Sequence, residues 1–372
     1  MNHILFTLNV LLVCISSNGD SHPKGVVQPK SETKIKGVCW VAGDSIGQHN
    51  INPLLNSGVT WISQTPFGWM NGHQDPTVEI KTNRVLWGET DLGLGHTTCL
   101  AREKGIKTIL KPHLWIRNSQ GKWRSEIEMK SETEWNQWFE TYETFILHYA
   151  KLAETHQIEA LCIGTELRQT VRQHPKKWRK IIAQIRKTYS GKLTYAANWY
   201  KEFEEVSFWD DLDFIGIQGY FPLASNSNPS KQQLIRSWKK HKRAMERISK
   251  KFNRPIVLTE IGYKNTADAA IEPWSWPQRL DQASVVLSEV TQRRCYEAMF
   301  EALWEEEWLK GIFIWKWFHS SYRFDNLDSY FAERMERRKR RANYRKRANN
   351  EVFFTPQRKP ALSVMNEWYL NR

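Results

Sequence analysis

The chain has 372 residues, 40% hydrophobic and 25% charged, enough for one large domain or two ordinary ones. Its five cysteines (Cys14, Cys39, Cys99, Cys162 and Cys295) are scattered, with no CxxC pair, which argues against a cysteine metal site and a disulfide framework. The net charge of +14 suits contact with nucleic acid, an anionic polymer or a membrane surface. However, nine of the Arg and Lys residues fall within 334–347. A run of that kind reads as a solvated helix or loop, and no groove-reading or stacking motif accompanies it, so no nucleic-acid partner is expected.

In chain order, Ile4 to Ile15 is almost wholly apolar. It is too short to span a membrane and has the length of a signal-peptide core. Residues 1–20 read as an export signal, with Cys14 a candidate lipid-attachment cysteine at a bacterial surface, and 21–35 as a linker. The protein would be secreted, periplasmic or lipid-anchored. A catalytic domain is expected over 36–372, interrupted by a basic insertion at 332–350, and is read as a monomer. Its first strand covers Gly37–Trp40 and is followed by a short helix at 50–56 and a second strand, Val59–Gln64. A long loop from Thr65 to Thr90 holds Trp69, Trp87 and Glu89. Asp91 is placed to cap the next helix. The third strand runs Thr108–His113, with Trp115 beyond it. Ser131 and Glu134 have capping-box spacing and open a long helix to Thr155. Strands then follow at Ala160–Glu166, Leu193–Trp199, Phe214–Tyr220, Ile256–Glu260 and Gly311–Trp317, alternating with helices at 175–189, 231–252, 282–309 and, last, 359–370. Eight strands in this alternation predict a (β/α)8 barrel with extended loops at its catalytic face.

Two of these strands end on a glutamate, Glu166 and Glu260, 94 residues apart. At about 31 residues per βα unit the spacing is close to three units, which puts the two carboxylates across the barrel mouth from each other. A facing carboxylate pair is the machinery of glycoside hydrolysis. The alternative is that both are surface ion pairs. Tyr220, one strand from Glu260, is in reach to donate to it. His113 and Asn198 read either as contacts to a sugar hydroxyl or carboxylate, or as ordinary satisfied side chains. Trp315 and Trp317 share a face by period two, one as a sugar floor and the other as packing. The 19 tryptophans suit sugar stacking as well as a core. Trp40, Trp69, Trp87, Glu89, Trp199, Trp274 and Trp315 are the further substrate-binding candidates. No metal or organic cofactor is expected.

The segments Ile163-Gly164-Thr165-Glu166-Leu167, Thr194 to Trp199, Phe208 to Leu223 and Leu258-Thr259-Glu260-Ile261-Gly262-Tyr263 resemble glycoside hydrolase family 113. So do Trp87-Gly88-Glu89, Lys111-Pro112-His113 and Pro356 to Ala361. The likeness runs from about Lys36 to the C-terminus. It implies a clan A barrel and a retaining endo-β-1,4-mannanase acting on mannan or glucomannan, with Glu166 as acid/base and Glu260 as nucleophile. Rival readings are an exo-acting mannosidase or mannobiohydrolase, another β-glycanase, and a non-catalytic polysaccharide-binding protein. Thr165 stands where the wider clan usually places an asparagine that holds the sugar 2-hydroxyl. The basic insertion departs from the family pattern.

Overall fold

The structure is a computed structural model that describes residues 34–41, 43, 46–81, 85–276, 285–319 and 352–372. The expected export signal, Cys14 and the basic insertion 332–350 lie outside these residues. The strands are β1 (Ile35–Val41), β2 (Trp61–Gln64), β3 (Phe67–Met70), β4 (Glu79–Ile80), β5 (Lys107–Leu110), β6 (His113–Ile116), β7 (Ala160–Thr165), β8 (Lys192–Asn198), β9 (Ile215–Gln218), β10 (Ile256–Ile261) and β11 (Leu309–Phe318). Eight of them close into a parallel barrel in the order β1-β2-β5-β7-β8-β9-β10-β11, with β11 returning to β1. The helices are α1 (Gln48–Asn56), α2 (Asp91–Arg102), α3 (Glu132–Thr155), α4 (Arg168–Gln173), α5 (Pro175–Thr188), α6 (Glu202–Glu205), α7 (Lys231–Phe252), α8 (Glu289–Leu303) and α9 (Pro360–Asn371). The chain is a (β/α)8 barrel.

The barrel has two apolar layers. Inside it, Ile35, Cys39, Ile109, Ala160, Cys162, Ala196, Phe214, Val257 and Phe313 pack together, with Trp61 and Trp315 against them. The larger core lies between strands and helices. In α3 the buried residues Trp135, Trp138, Phe139, Tyr142, Phe145, Ile146 and Tyr149 recur at helical spacing and face inward. Cys39 on β1, Cys162 on β7 and Cys295 on α8 are buried free thiols. Among the described residues no helix is long and apolar enough to cross a membrane.

Several elements differ from the sequence expectation. The stretch 65–90 is not all loop. Its β3 pairs with β4 and, in parallel, with β6, forming a small sheet beside the barrel. His113 therefore begins β6 instead of ending the third barrel strand, because Pro112 has no N–H to continue the ladder after β5. Thr90, not Asp91, caps α2, its hydroxyl accepting from the Gly93 N–H at 3.2 Å. Ser131 caps α3, but the Glu134 carboxylate accepts from the Lys130 N–H, so the box is only half made. The helix expected over 282–309 covers Glu289–Leu303 among the described residues. Trp315 and Trp317 do not share a face. Val38 pairs with Ile314 and Trp40 with Trp317, so β11 carries one extra residue there. An extra residue reverses side-chain alternation. Trp315 thus packs toward the barrel interior, and Trp317 with Trp40 in the outer layer.

Candidate active site

Both glutamates stand where a strand slips register. Between Cys162 and Thr165, β7 advances three residues while β8 advances two. Between Leu258 and Glu260, β10 advances two residues while β9 advances one. Such irregularities cluster beside active sites because they re-aim a side chain. Glu166 follows its slip in the left-handed backbone region, at φ 53°. For a residue other than glycine that conformation costs about 1–3 kcal/mol and persists only where the surroundings enforce it. Here the Glu166 N–H donates to Ala196 O at 2.9 Å and the Leu167 N–H to Tyr195 Oη at 2.6 Å.

The Glu166 carboxyl is buried. Asn198 Nδ2 donates to Oε1 at 2.7 Å and Trp123 Nε1 to Oε2 at 2.8 Å. Arg124 Nε lies 3.7 Å from Oε2, with its guanidinium over the Trp123 ring. Burial pushes the pKa of Glu166 above the ordinary carboxylate value. The Arg124 charge and the two donors oppose this, and the charge of Glu260 adds to it.

Glu260 has a different setting. Lys111 Nζ donates to Oε1 at 2.5 Å and Tyr220 Oη to Oε2 at 3.0 Å. Lys111 follows β5, which is diametrically opposite β10, so the carboxylate reaches across the barrel mouth. Burial disfavours the Lys111 charge, but the carboxylate beside it outweighs burial and holds its pKa above the usual lysine value. His113 Nε2 is 3.6 Å from Oε1. Burial, with Arg124 and Lys111 nearby, pushes the His113 pKa well down. Lys316 lies over the rings of Trp315, Trp276 and Phe318. Burial lowers its pKa to about 8, against the pull of Glu260.

Of the residues singled out in the sequence, Asn198, His113 and Tyr220 thus meet the glutamate pair. Thr165 is buried behind it, its hydroxyl 3.8 Å from Cys162 Sγ. Trp199 stacks on Trp274 at 5.0 Å and meets Tyr200 edge-on, on the Asn198 side. Trp69 sits with Phe67 and Trp115 on the small sheet, and Phe67 also touches His113. Trp87 packs on His96, beside Glu89 in a short 3-10 turn. Trp40 meets His319. Sequence reasoning overlooked Lys111 as a partner of Glu260, along with Trp123, Arg124, Lys316 and Glu202. Lys111 carried a signal, a cation closing an apolar β run. Trp123 and Arg124 belong to a polar loop with no periodicity to mark them.

Among the described residues no cluster of three or more His, Cys, Asp or Glu side chains is placed to hold a metal ion. An eight-stranded parallel barrel with two buried carboxyls at its strand ends has the architecture and acid groups that hydrolyse glycosidic bonds, and the class it defines is the glycoside hydrolases. Residues 42–331 match the model of Glycoside Hydrolase Family 113. The chain belongs to that family and is a glycoside hydrolase. A solved complex of a family 113 β-1,4-mannanase is 25% identical to it, with a TM-score of 0.72 over 91% of this chain and 100% of the other. The family 113 β-mannanase of Alicyclobacillus acidocaldarius is 24% identical, with a TM-score of 0.73 over 91% and 97%. A β-glucuronidase from Ruminococcus gnavus shares the fold alone, at 14% identity and a TM-score of 0.56 over 91% of this chain and 50% of its own. No curated protein sequence matches.

Proposed function

We propose that this enzyme is a retaining endo-β-1,4-mannanase, with Glu260 as nucleophile and Glu166 as acid/base. The observation that carries the assignment is the contrast between the two carboxyls. Glu260 accepts at both oxygens, from an ammonium and a phenol, charge-assisted and neutral donors that hold a nucleophilic carboxylate in place. Glu166 has its proton affinity raised by burial, the setting a general acid needs. In the first step a Glu260 oxygen attacks the anomeric carbon while Glu166 gives its proton to the departing glycosidic oxygen. In the second, Glu166 takes a proton from water, whose oxygen attacks the same carbon and releases Glu260. His113 Nε2 and Arg124 Nη1 are buried without a hydrogen-bond partner among the described residues. They are groups for sugar hydroxyls to satisfy, and Trp315 is a floor for the ring.

Internal cleavage needs binding surface on both sides of the scissile bond. Among the described residues the exposed aromatic side chains are Trp115, Tyr200 and Trp274, at 48, 52 and 40% exposure. Trp115 follows β5, while Tyr200 and Trp274, which follow β8 and β10, both pack against Trp199, so the platforms fall in two places around the mouth. The test is reducing-sugar release from linear β-mannan by wild type and Glu260→Ala, with products resolved by size. Mixed oligosaccharides from wild type and almost none from the variant are expected. Mannose or mannobiose alone would make the enzyme exo-acting, and no release by folded wild type would overturn the mannanase reading. Export is proposed from the apolar stretch Ile4–Ile15 and is checked by the N-terminal sequence and lipid content of the mature protein.

A further inference from the structure

The short helix α6 brings in a carboxylate that the two chemical steps do not use. Glu202 is fully buried. Tyr195 Oη donates to its Oε1 at 2.5 Å, and the Asn198 backbone N–H donates to its Oε2 at 2.7 Å. Tyr195 Oη also accepts from the Leu167 N–H, so the hydroxyl proton is directed at Glu202. The Asn198 side chain in turn donates to Glu166 Oε1. Two hydrogen-bonded paths therefore leave one carboxyl group and arrive on either side of Glu166. One reaches its carboxyl through Asn198, and the other reaches the peptide that follows it through Tyr195.

Both oxygens of this carboxyl accept, which a carboxyl can do with or without its proton and an amide nitrogen cannot. Both neighbours present donors, so a glutamine at 202 would bring its own N–H₂ against one of them, leaving a buried group unsatisfied. The Arg168 guanidinium, whose charge acts on Glu202, makes two hydrogen bonds to Glu205 at 2.6 Å. The titratable groups facing Glu202 are Tyr195, Glu166 and Arg168. Burial pushes the Glu202 pKa up to about 8, with Tyr195 and Asn198 holding it down and the Glu166 charge adding to the rise.

We propose that Glu202 is a positioning residue for the acid/base, fixing both the Glu166 carboxyl and its left-handed backbone through Asn198 and Tyr195. The inference rests on the assignment of Glu166 made above. A residue that acts through the general acid should matter in proportion to how much the leaving group needs a proton. Wild type, Glu166→Gln, Glu202→Gln and Tyr195→Phe are therefore compared by kcat/KM on linear β-mannan and on a 2,4-dinitrophenyl β-mannobioside, whose phenolate departs unprotonated. General acid catalysis is worth about 10²–10⁴-fold. Glu202→Gln should lose about 10–100-fold on mannan and less than about threefold on the aryl glycoside, a selectivity that Glu166→Gln shows more strongly. Tyr195→Phe should show it more weakly, and it carries the same comparison if Glu202→Gln loses its cooperative melt. Equal losses on both substrates, or no loss on either, would overturn the positioning role. Absence of the selectivity in Glu166→Gln itself would instead overturn the acid/base assignment.

Discussion

Lys111 Nζ and Glu260 Oε1 lie 2.5 Å apart, projected from opposite walls of the barrel, with 0 and 6% of their side chains exposed. An isolated ammonium or carboxylate at that depth would be strongly disfavoured, so each makes the other tolerable. Removing one partner of a buried pair costs about 3–5 kcal/mol. Lys111→Met keeps the length of the side chain and deletes its charge. It should lower unfolding stability by roughly that amount and, by leaving Glu260 with Tyr220 as its remaining donor, cut kcat by about 100-fold. Chemical denaturation and mannan turnover read the two effects. Unchanged stability would mean that Glu260 does not depend on the lysine for its place in the fold.

The coupling between the carboxyls gives a prediction with a definite sign. The charge of Glu260 is one of the causes that raise the Glu166 pKa. In Glu260→Gln that like charge is gone, ionisation of Glu166 becomes easier, and its pKa must fall. Carbon-13 NMR of labelled glutamate carboxyls across pH follows it directly. A pKa that stays put would show that burial alone sets the shift and that the two groups are too far apart to interact.

The barrel was legible in the sequence because eight apolar runs alternate with amphipathic helices, and because Glu166 and Glu260 violate the apolar rule at the same place in two of them. Tyr220 followed from strand order. The small sheet was not legible. Phe67–Met70 and His113–Ile116 are short and pair across a separation of 46 residues, which no local pattern announces. The faces of β11 were misjudged for a related reason. Period two holds only while register holds, and the extra residue before Trp317 is visible only in the pairing with β1. Glu202 sits in Lys201-Glu202-Phe203-Glu204-Glu205, a composition that reads as solvated surface. Its burial follows from the turn that folds α6 back on the end of β8, where Tyr195 and the Asn198 N–H reach it, and no composition pattern marks that turn.

The exposed aromatics predict how affinity depends on substrate length. An aromatic platform contributes about 1 kcal/mol where it stacks, which is roughly a fivefold change in KM. Trp115→Ala and Trp274→Ala should each raise KM on long mannan by about that factor and leave kcat nearly unchanged. On the shortest oligosaccharide cleaved, at least one of them should have no effect, because a short chain does not reach both. Steady-state kinetics over a mannan oligosaccharide series checks this. Losses of equal size at every length would make the two residues structural and remove the support they give to internal cleavage.

The last prediction concerns stability against pH. Glu202 has a folded-state pKa of about 8, against about 4.3 for a free glutamate. A carboxyl whose pKa is raised on folding holds its proton in the native state after the unfolded chain has released it. Its contribution to stability is therefore complete below about pH 4.3 and is lost as pH rises to about 8. Lys264, Lys316 and Lys359, each lowered to about 8, act in a different window. Their native forms lose the proton near 8 and their unfolded forms near about 10.4, so stability gained from them rises only above about pH 8. Between pH 5 and 8 the melting temperature of wild type should fall relative to that of Glu202→Gln, which has no proton to lose, and the difference should level off beyond. Thermal melts of the two proteins at matched ionic strength read that difference. A constant gap across the range would mean that Glu202 is ionised throughout, its donors outweighing its burial.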